Sequence, residues 1–461
     1  MDESYVRSIG ATLPEELLRL KYAGYFDEFE KRAQYHLDRE DLPDLVKQHI
    51  ELELYNCRTI KDQYPLTEAA VVKKIASYCP GFTQEDFDRR AGDTDWIFIN
   101  GKKRYADMTV DALFITSKEL REWPGSTYPK STGAFLLGVR NRMRAQGKLS
   151  VTSDVEFTGT IDPKAAAGHT LKVHLPFPSP LAKSMSGIEL LSSSEPCYIA
   201  PETALQRTAY FEADGDKTRK FSIKVRATMT QDYMSFEDML KAGQETTPAK
   251  ERRLRKQIRP SDLEEKIPHY VFSPALRSLS EKIVGDETNK TLIAKKIYDW
   301  MIKYYDYAYV RDYALIDNIG EYFAIRGRGD CGIQASLFIT LCRLNGIPAR
   351  WESGITTDEG GGMHDWAQVY LEGVGFRPVD CSYGNGMKRR NMPEECDFYF
   401  GNMDPYRWVC NTDFQEPFDP PKSFYRVDPY DNQCGEAETE CGMLTRKEFH
   451  PRRKITNQIE K

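Results

Sequence analysis

The chain has 461 residues, of which 40% are hydrophobic and 29% are charged. At ~150 residues per domain this length predicts about three domains, and the apolar fraction excludes a chain that is disordered throughout. The 64 basic and 70 acidic side chains give a net charge of -6, which argues against nucleic acid as a partner because such proteins usually carry a basic surplus. No apolar run approaches the ~18 residues that a membrane-spanning helix needs.

Residues 1–140 are predicted to be mainly helical. Apolar side chains recur there at three- and four-residue spacing, as in the stripe over 17–29. The period then changes at Trp96–Ile99 and Lys102–Tyr105, which flank Asn100-Gly101. Asn-Gly fits a type I′ turn, so this segment is predicted to be a β-hairpin.

Residues 141–245 are predicted to form a small β-sandwich-like domain. Short runs of alternating polar and apolar residues occur at 155–161, 170–175 and 221–229, and turn-forming residues separate them. Residues 246–264 are predicted to be a basic linker, and the basic run at 250–259 fits a solvated linker or an exposed helix face better than a partner-binding patch.

Ten cysteines are spread along the chain. No Cys-x-x-Cys pair occurs, which excludes zinc ribbons and thioredoxin-like motifs, and the density is too low for a disulfide scaffold. Most of the thiols are therefore expected to be structural and reduced. The first residues also lack the pattern of a secretory signal, so a cytoplasmic location is expected unless a signal has been removed.

One cysteine stands at the start of a predicted helix. Asp330 is a preferred N-cap, an apolar helical pattern follows it, and Asn345-Gly346 ends the pattern. Cys331 therefore lies in the first helical turn, where unpaired N–H groups and the helix dipole favour a thiolate. The Asp330 carboxylate opposes this effect, so a neighbouring imidazolium is expected to assist.

A histidine and a carboxylate follow on a predicted hairpin. His364 begins a strand with alternating faces, and a return strand ends at Asp380. In an antiparallel hairpin, the two residue numbers of every cross-strand pair add up to the same sum. Asp380 shares the face of His364 only if this sum is even; a sum of 746, for example, pairs Asp380 with Trp366. The glycine-containing loop 356–362 is expected to be mobile and to gate a cleft.

These residues suit covalent acyl transfer. Cys331 would attack an amide or ester carbonyl, His364 would take and return the proton, and Asp380 would orient the imidazole. The backbone N–H of Cys331 and one further donor would form the oxyanion hole. The candidates for that donor are Trp300, Tyr307 and Asn318. No metal site and no cofactor are expected from the spacing of the histidines and carboxylates.

The motifs around these residues resemble the transglutaminase-like superfamily. The resemblance lies in Gly329-Asp330-Cys331 with the helix end at 344–350, in the strand 364–370 and in the strand 375–380. It covers roughly 265–445. Phe376 stands where the family usually has Trp, and Cys381 where Pro is common.

The resemblance implies an α+β fold with a papain-like core, in which a helix that bears the thiol packs on an antiparallel sheet. The catalytic domain would span 265–445, and 446–461 would be a C-terminal tail. Members of the family include peptidases, amidases and crosslinking acyltransferases, so a peptide or protein substrate is implied. Hydrolysis of amides is favoured; a crosslinking transglutaminase and a non-catalytic peptide- or glycan-binding module are the alternatives, and the oligomeric state stays open.

Overall fold

The structure is a computed structural model that describes residues 11–129, 133–358, 362–424, 426 and 433–461. Part of the predicted gating loop, 359–361, lies outside the described residues. Within the described ranges, no helix is both long enough and apolar enough to cross a membrane.

The N-terminal region is helical, as its apolar spacing predicts. Its helices are α1 (Glu15–Ala23), α2 (Phe26–Leu37), α3 (Asp44–Gln63), α4 (Glu68–Tyr78), α5 (Gln84–Asp88), α6 (Thr109–Thr116), α7 (Lys118–Arg121) and α8 (Ala134–Gln146). The predicted hairpin is confirmed as β1 (Trp96–Ile99) and β2 (Lys102–Tyr105). Asn100 and Gly101 have φ values of 49° and 76°, as a type I′ turn requires.

A β-sandwich follows the N-terminal region. Its elements are β3 (Lys148–Ile161), α9 (Pro163–Ala166), β4 (Thr170–Pro176), β5 (Met185–Ser193), β6 (Tyr198–Ile199), β7 (Thr208–Asp214) and β8 (Lys220–Asp232). Side chains alternate along β3 and β8 so that one face of each strand is buried. This alternation is why the segment forms strands around an apolar core.

The remaining elements carry the transglutaminase-like pattern and the end of the chain. They are α10 (Phe236–Gln244), α11 (Pro248–Arg255), α12 (Pro274–Val284), α13 (Lys290–Tyr304), β9 (Asp306–Tyr307), α14 (Ile319–Arg326), β10 (Arg328–Gly329), α15 (Cys331–Leu344), β11 (Ala349–Thr356), β12 (Met363–Leu371), β13 (Gly375–Val379), α16 (Cys381–Arg389), β14 (Arg407–Asn411), β15 (Glu436–Thr439), β16 (Gly442–Met443) and β17 (Phe449–Glu460).

The candidate site stands on an antiparallel sheet of order β13-β12-β11-β14. Helix α15 is buried from Gly332 to Arg343 and packs against β11 and β12. This arrangement of a buried helix on an antiparallel sheet agrees with the α+β class predicted from the sequence.

The predicted tail is a strand of the sandwich instead. β17 pairs with β3 from Phe449↔Ile161 to Glu460↔Val151, in a sheet of order β17-β3-β8-β5. β15 and β16 join the other sheet, of order β16-β15-β4-β7-β6. The sandwich therefore includes strands from beyond residue 435. The predicted domain bounds assign these strands to the catalytic domain and the tail, because strand pairing over such a sequence distance leaves no local signal.

The predicted linker at 246–264 is partly helical. It contains α11 and a short 3-10 turn at Pro260–Asp262. The Glu251 carboxylate in α11 accepts hydrogen bonds from the Tyr370 hydroxyl at 2.8 Å and from the Gly373 N–H at 3.0 Å. Helix α11 thus contacts the β12–β13 hairpin through Glu251, its single acidic residue.

Two tryptophans join the sheet of order β13-β12-β11-β14 to the sandwich. Trp366 on β12 and Trp408 on β14 are buried in the same apolar cluster as Phe157 and Phe221 of the sandwich strands. The opposite face of β12 contributes Val369 to the core that surrounds α15. The sheet is therefore covered on both faces, which fixes the strands that carry the candidate site.

Candidate active site

Cys331 is the first residue of α15 and is half-buried. Asp330 caps the helix, because its Oδ1 accepts a hydrogen bond of 3.1 Å from the Ile333 N–H. The same oxygen accepts one of 2.6 Å from the Tyr313 hydroxyl. A Cβ on Gly332 would lie 2.2 Å from that hydroxyl, so glycine is required there for Tyr313 to approach the cap.

The thiol of Cys331 contacts a carboxylate that sequence reasoning missed. Its Sγ donates a hydrogen bond of 3.3 Å to Asp365 Oδ2. The hydrogen bonds of the described residues include none between Cys331 and His364. Asp365 is 5% exposed, and the Gln433 side chain donates to its Oδ1 and, at 3.0 Å, to the carbonyl of His364.

This environment opposes the thiolate that the helix position predicts. Burial, followed by the carboxylates of Asp365 and Asp330, raises the pKa of Cys331 well above its ordinary value. Burial first, and then the two carboxylates near the helix N-terminus, act against the helix dipole, so the expected thiolate stays a prediction.

His364 and Asp380 meet as the predicted register requires. β12 and β13 pair through Ala367↔Val379 and Leu371↔Gly375, and the residue numbers of each pair add up to 746. The even register is confirmed. His364 Nε2 donates a hydrogen bond of 2.7 Å to Asp380 Oδ2, which leaves Nδ1 as the other ring nitrogen.

Asp380 is held as a buried anion by several groups. Arg407 Nη1 on β14 donates to the same Oδ2 at 2.7 Å, and the opposite oxygen accepts from the Tyr383 N–H at 2.9 Å and the Ser382 hydroxyl at 3.0 Å. Burial disfavours the charge, but His364 and Arg407 outweigh it and hold the pKa of Asp380 well below its usual range. Asp380 thus also caps helix α16.

Arg407 is itself balanced by a second carboxylate. Its Nη2 donates to Asp404 Oδ2 at 2.9 Å. Burial acts against the guanidinium charge, yet Asp404 and Asp380 raise the pKa of Arg407 well above its ordinary value.

The His364 ring packs against an aromatic side chain. It lies 4.7 Å from the ring of Tyr383, and Arg407 lies 4.2 Å from the centre of the Tyr383 ring. The imidazole is therefore fixed by one hydrogen bond and by aromatic packing.

The three oxyanion candidates are separated in the structure. Tyr307 pairs with Gly329 in the short β9–β10 ladder and lines the same cavity as Cys331. Trp300 lies on α13 with Lys282 over its ring and Tyr304 beside it. Asn318 caps α14, since its Oδ1 accepts from the Glu321 N–H. Only Tyr307, of the three, lines the cavity.

The cavity beside Cys331 has a volume of about 730 Å³. Met363 and Asp365, on either side of His364, line it. Tyr309 and Tyr313 line it as well, and they belong to a tyrosine-rich segment, 304–313, in which five of ten residues are tyrosine. Its far side is built from the N-terminal region, between residues 63 and 112. A cavity of this size is typical of small-ligand sites.

One group of possible metal ligands comes together among the described residues, apart from this cavity. His169 Nδ1 lies 2.8 Å from Glu440 Oε1, and Cys441 Sγ lies 3.9 Å from the same nitrogen. All three side chains are on the sandwich surface at the start of β4 and the turn between β15 and β16. The hydrogen bond between His169 and Glu440 accounts for two of the three groups.

Sequence reasoning missed Asp365, Arg407 and Gln433. A signal existed for Asp365, because strand alternation places it on the face of β12 that packs against α15. No such signal existed for Arg407. Its strand, β14, joins β11 through pairs such as Thr356↔Arg407, which no local pattern predicts. Gln433 is brought in by the chain that precedes β15.

Comparison with known proteins identifies the core. Residues 277–381 match the model of the transglutaminase-like superfamily. An uncharacterised protein of Haemophilus influenzae is 27% identical over 295 residues, which span 55% of this chain and 77% of that protein.

Among solved structures, a candidate cysteine protease of Cytophaga hutchinsonii is similar with a TM-score of 0.41 and 14% identity, over 67% of this chain and 91% of that one. The periplasmic domain of TgpA from Pseudomonas aeruginosa has a TM-score of 0.27 and 12% identity, over 53% and 91% of the two chains. The part of this chain that is similar to the transglutaminase-like superfamily is therefore residues 277–381, by the match to the family model.

Proposed function

We propose that the protein is a cysteine-dependent enzyme that cleaves amide bonds by acyl transfer, with hydrolysis as the favoured outcome. The observation that carries the proposal is the buried hydrogen bond of 2.7 Å between His364 and Asp380, on the strand next to the helix that presents Cys331. A buried carboxylate that orients an imidazole is the arrangement that acid–base catalysis beside a nucleophile requires.

In the proposed reaction, the Cys331 thiol turns from Asp365 to His364. The imidazole accepts the thiol proton at Nδ1 while Sγ forms a bond to the substrate carbonyl carbon. Asp380 and Arg407 stay ionised throughout, and Asp380 stabilises the imidazolium through Nε2.

The tetrahedral intermediate then collapses. Its oxyanion would be stabilised by the N–H of Cys331, which has no acceptor within the first helical turn, and by the Tyr307 hydroxyl as the second donor. The C–N bond breaks, and the imidazolium returns its proton to the leaving amine. Water, deprotonated by His364, attacks the thioester at the same carbon, which releases the carboxylic acid and restores the Cys331 thiol.

The test measures amide cleavage with short fluorogenic peptide amides and looks for an acyl-enzyme by mass spectrometry. The proposal expects turnover and acylation of Cys331 in the wild type, and loss of both in Cys331→Ala. Cys441→Ser is the matched control, because it removes an exposed thiol of the sandwich and should keep full activity. His364→Ala should abolish acylation as well.

Adding a primary amine to the same assay separates the alternatives. Free acid as the main product supports the hydrolase. A product in which the amine has replaced water would instead indicate a crosslinking enzyme. Peptide binding without turnover, equal in wild type and Cys331→Ala, would contradict the catalytic proposal and indicate a binding module.

A further inference from the structure

Two walls of the cavity beside Cys331 come from distant parts of the chain, and residues between 433 and 451 complete its lining. One wall is the tyrosine-rich segment that leads to the nucleophile, including Tyr309 and Tyr313. The other wall comes from the N-terminal region, more than 200 residues earlier in sequence, and includes Tyr64 and Met108. The N-terminal region therefore faces the proposed nucleophile and lies within the site.

A carboxylate of the N-terminal region joins the two walls. Asp95 Oδ1 lies 3.3 Å from Arg311 Nη2 and 3.3 Å from Arg326 Nη1. Its Oδ2 accepts a hydrogen bond from the Tyr64 hydroxyl. The Asp95 side chain is 10% exposed, so these contacts are only partly screened by water. We call Asp95 with Arg311 and Arg326 the clasp.

A second set of contacts holds the far end of the same wall. The backbone N–H of Asp312 donates a hydrogen bond of 3.0 Å to Gln63 Oε1 at the end of α3. The Asp312 carboxylate accepts one of 2.8 Å from Arg446, just before β17. Lys447 contacts Asp62. The N-terminal wall is thus attached to both the catalytic segment and the last part of the chain.

The space between the walls sets the size and chemistry of what can enter. A cavity of about 730 Å³ lies within the ~300–1,000 Å³ range of sites that enclose a small molecule. Two apolar side chains reach into it in partly exposed positions: Met108 is 36% exposed and Met363 is 50% exposed. Flexible thioethers adapt to apolar side chains of different shapes.

We propose that the N-terminal region is a wall of the substrate site, and that the clasp restricts the enzyme to short peptide-like amides with an apolar side chain beside the scissile bond. The inference rests on the proposed function for its substrate class. The wall itself has a physical consequence that does not depend on turnover: a bulky reagent should reach Cys331 far more slowly than a small one of the same chemistry.

The test compares how fast Cys331 reacts with N-ethylmaleimide and with a maleimide that carries a polyethylene glycol chain. The measured ratio is the rate with the bulky maleimide divided by the rate with N-ethylmaleimide, and it does not depend on the intrinsic reactivity of the thiol. In the wild type the bulky reagent should be strongly disfavoured at Cys331 relative to Cys441. In Asp95→Ala the ratio should rise roughly fivefold or more, which corresponds to about 1 kcal/mol.

Asp41→Ala is the matched control, because Asp41 forms an exposed ion pair with Arg39 within the N-terminal region; it should leave the ratio unchanged. Arg326→Ala, whose side chain is 39% exposed, opens the clasp from the other side if Asp95→Ala does not fold. Equal ratios in wild type and both clasp variants would overturn the inference.

Substrate assays form the second arm. The wild type should cleave a short apolar peptide amide much faster than the same sequence within an unfolded protein chain, and the clasp variants should narrow this difference. If the labelling ratio responds but neither substrate is cleaved, the proposed function fails while the wall stands. If both substrates are cleaved equally by the wild type, the wall does not restrict the substrate.

Discussion

Arg407 donates a hydrogen bond of 2.7 Å to Asp380, and the two side chains are 0% and 1% exposed. A buried ion pair of this kind contributes little net stability compared with apolar residues, but removal of one partner leaves an uncompensated charge. The pair therefore couples the stability of the domain to the geometry of the site, since Asp380 also holds His364.

Arg407→Met is expected to lower the free energy of unfolding by about 3 to 5 kcal/mol and to abolish activity, because Asp380 and Asp404 would lose their shared counter-charge. Urea unfolding measures the first effect. Arg226→Met is the matched control: Arg226 pairs with Asp154 but is 42% exposed, so its loss should cost under about 1 kcal/mol. Equal losses in the two variants would contradict the assignment.

Asp380 also predicts an acid limit to stability. Its pKa is lowered in the folded protein, whereas an unfolded Asp titrates near pH ~3.9. The carboxylate therefore stabilises the fold above about pH 4 and loses this contribution as the pH falls towards the folded pKa. The unfolding free energy of the wild type should exceed that of Asp380→Asn most above about pH 5, and the gap should shrink by pH ~3. A gap that stays constant down to this pH would refute the prediction.

The reactivity of Cys331 is expected to depend on Asp365. Burial is the first cause of its raised pKa and the Asp365 carboxylate is the second. Asp365→Asn should lower the pKa of the thiol without restoring its ordinary value, and alkylation by iodoacetamide at pH ~7 should become roughly three- to tenfold faster. The rate is followed against pH with the modified cysteine identified by mass spectrometry.

Asp216→Asn provides the control for that measurement, because it removes an exposed carboxylate from the sandwich. It should leave the profile of Cys331 unaltered. An identical profile in Asp365→Asn would show that the carboxylate does not act on the thiol.

Gly332→Ala should disturb the helix start. The added Cβ would lie 2.2 Å from the Tyr313 hydroxyl, so Tyr313 would have to leave Asp330. We expect a loss of about 1 to 3 kcal/mol in stability together with reduced turnover. For Gly442→Ala, no atom of the described residues other than its two chain neighbours lies within 4 Å of the new Cβ, and its effect should stay within about 0.5 kcal/mol. Similar losses in both variants would exclude the steric explanation.

Local patterns in the sequence were sufficient for much of the core. The cap at Asp330 defined the start of α15, and strand alternation with a short turn defined the β12–β13 register that brings His364 to Asp380. Both features depend on residues fewer than twenty positions apart. The short-range periodicity of apolar and polar residues indicates contacts at this separation directly.

Contacts over long sequence distances could not be predicted in the same way. Arg407 reaches Asp380 because β14 pairs with β11, and the clasp forms because Asp95 meets Arg311 more than 200 residues later. Each of these side chains stands in an ordinary polar context along the chain. The opposite charge with which each side chain pairs comes near it only in the folded chain. The sequence alone therefore assigned no role to the N-terminal region.

The pairing of β17 with β3 has a consequence for how the protein is made. β3 leaves the ribosome about 290 residues before β17, which at ~5–20 residues per second is a delay of roughly 15 to 60 s. During that interval one edge of β3 has no strand to pair with, and exposed strand edges invite association with other chains. A nascent chain released before β17 is complete would keep that edge open, so premature termination should yield aggregates more readily than a soluble fragment.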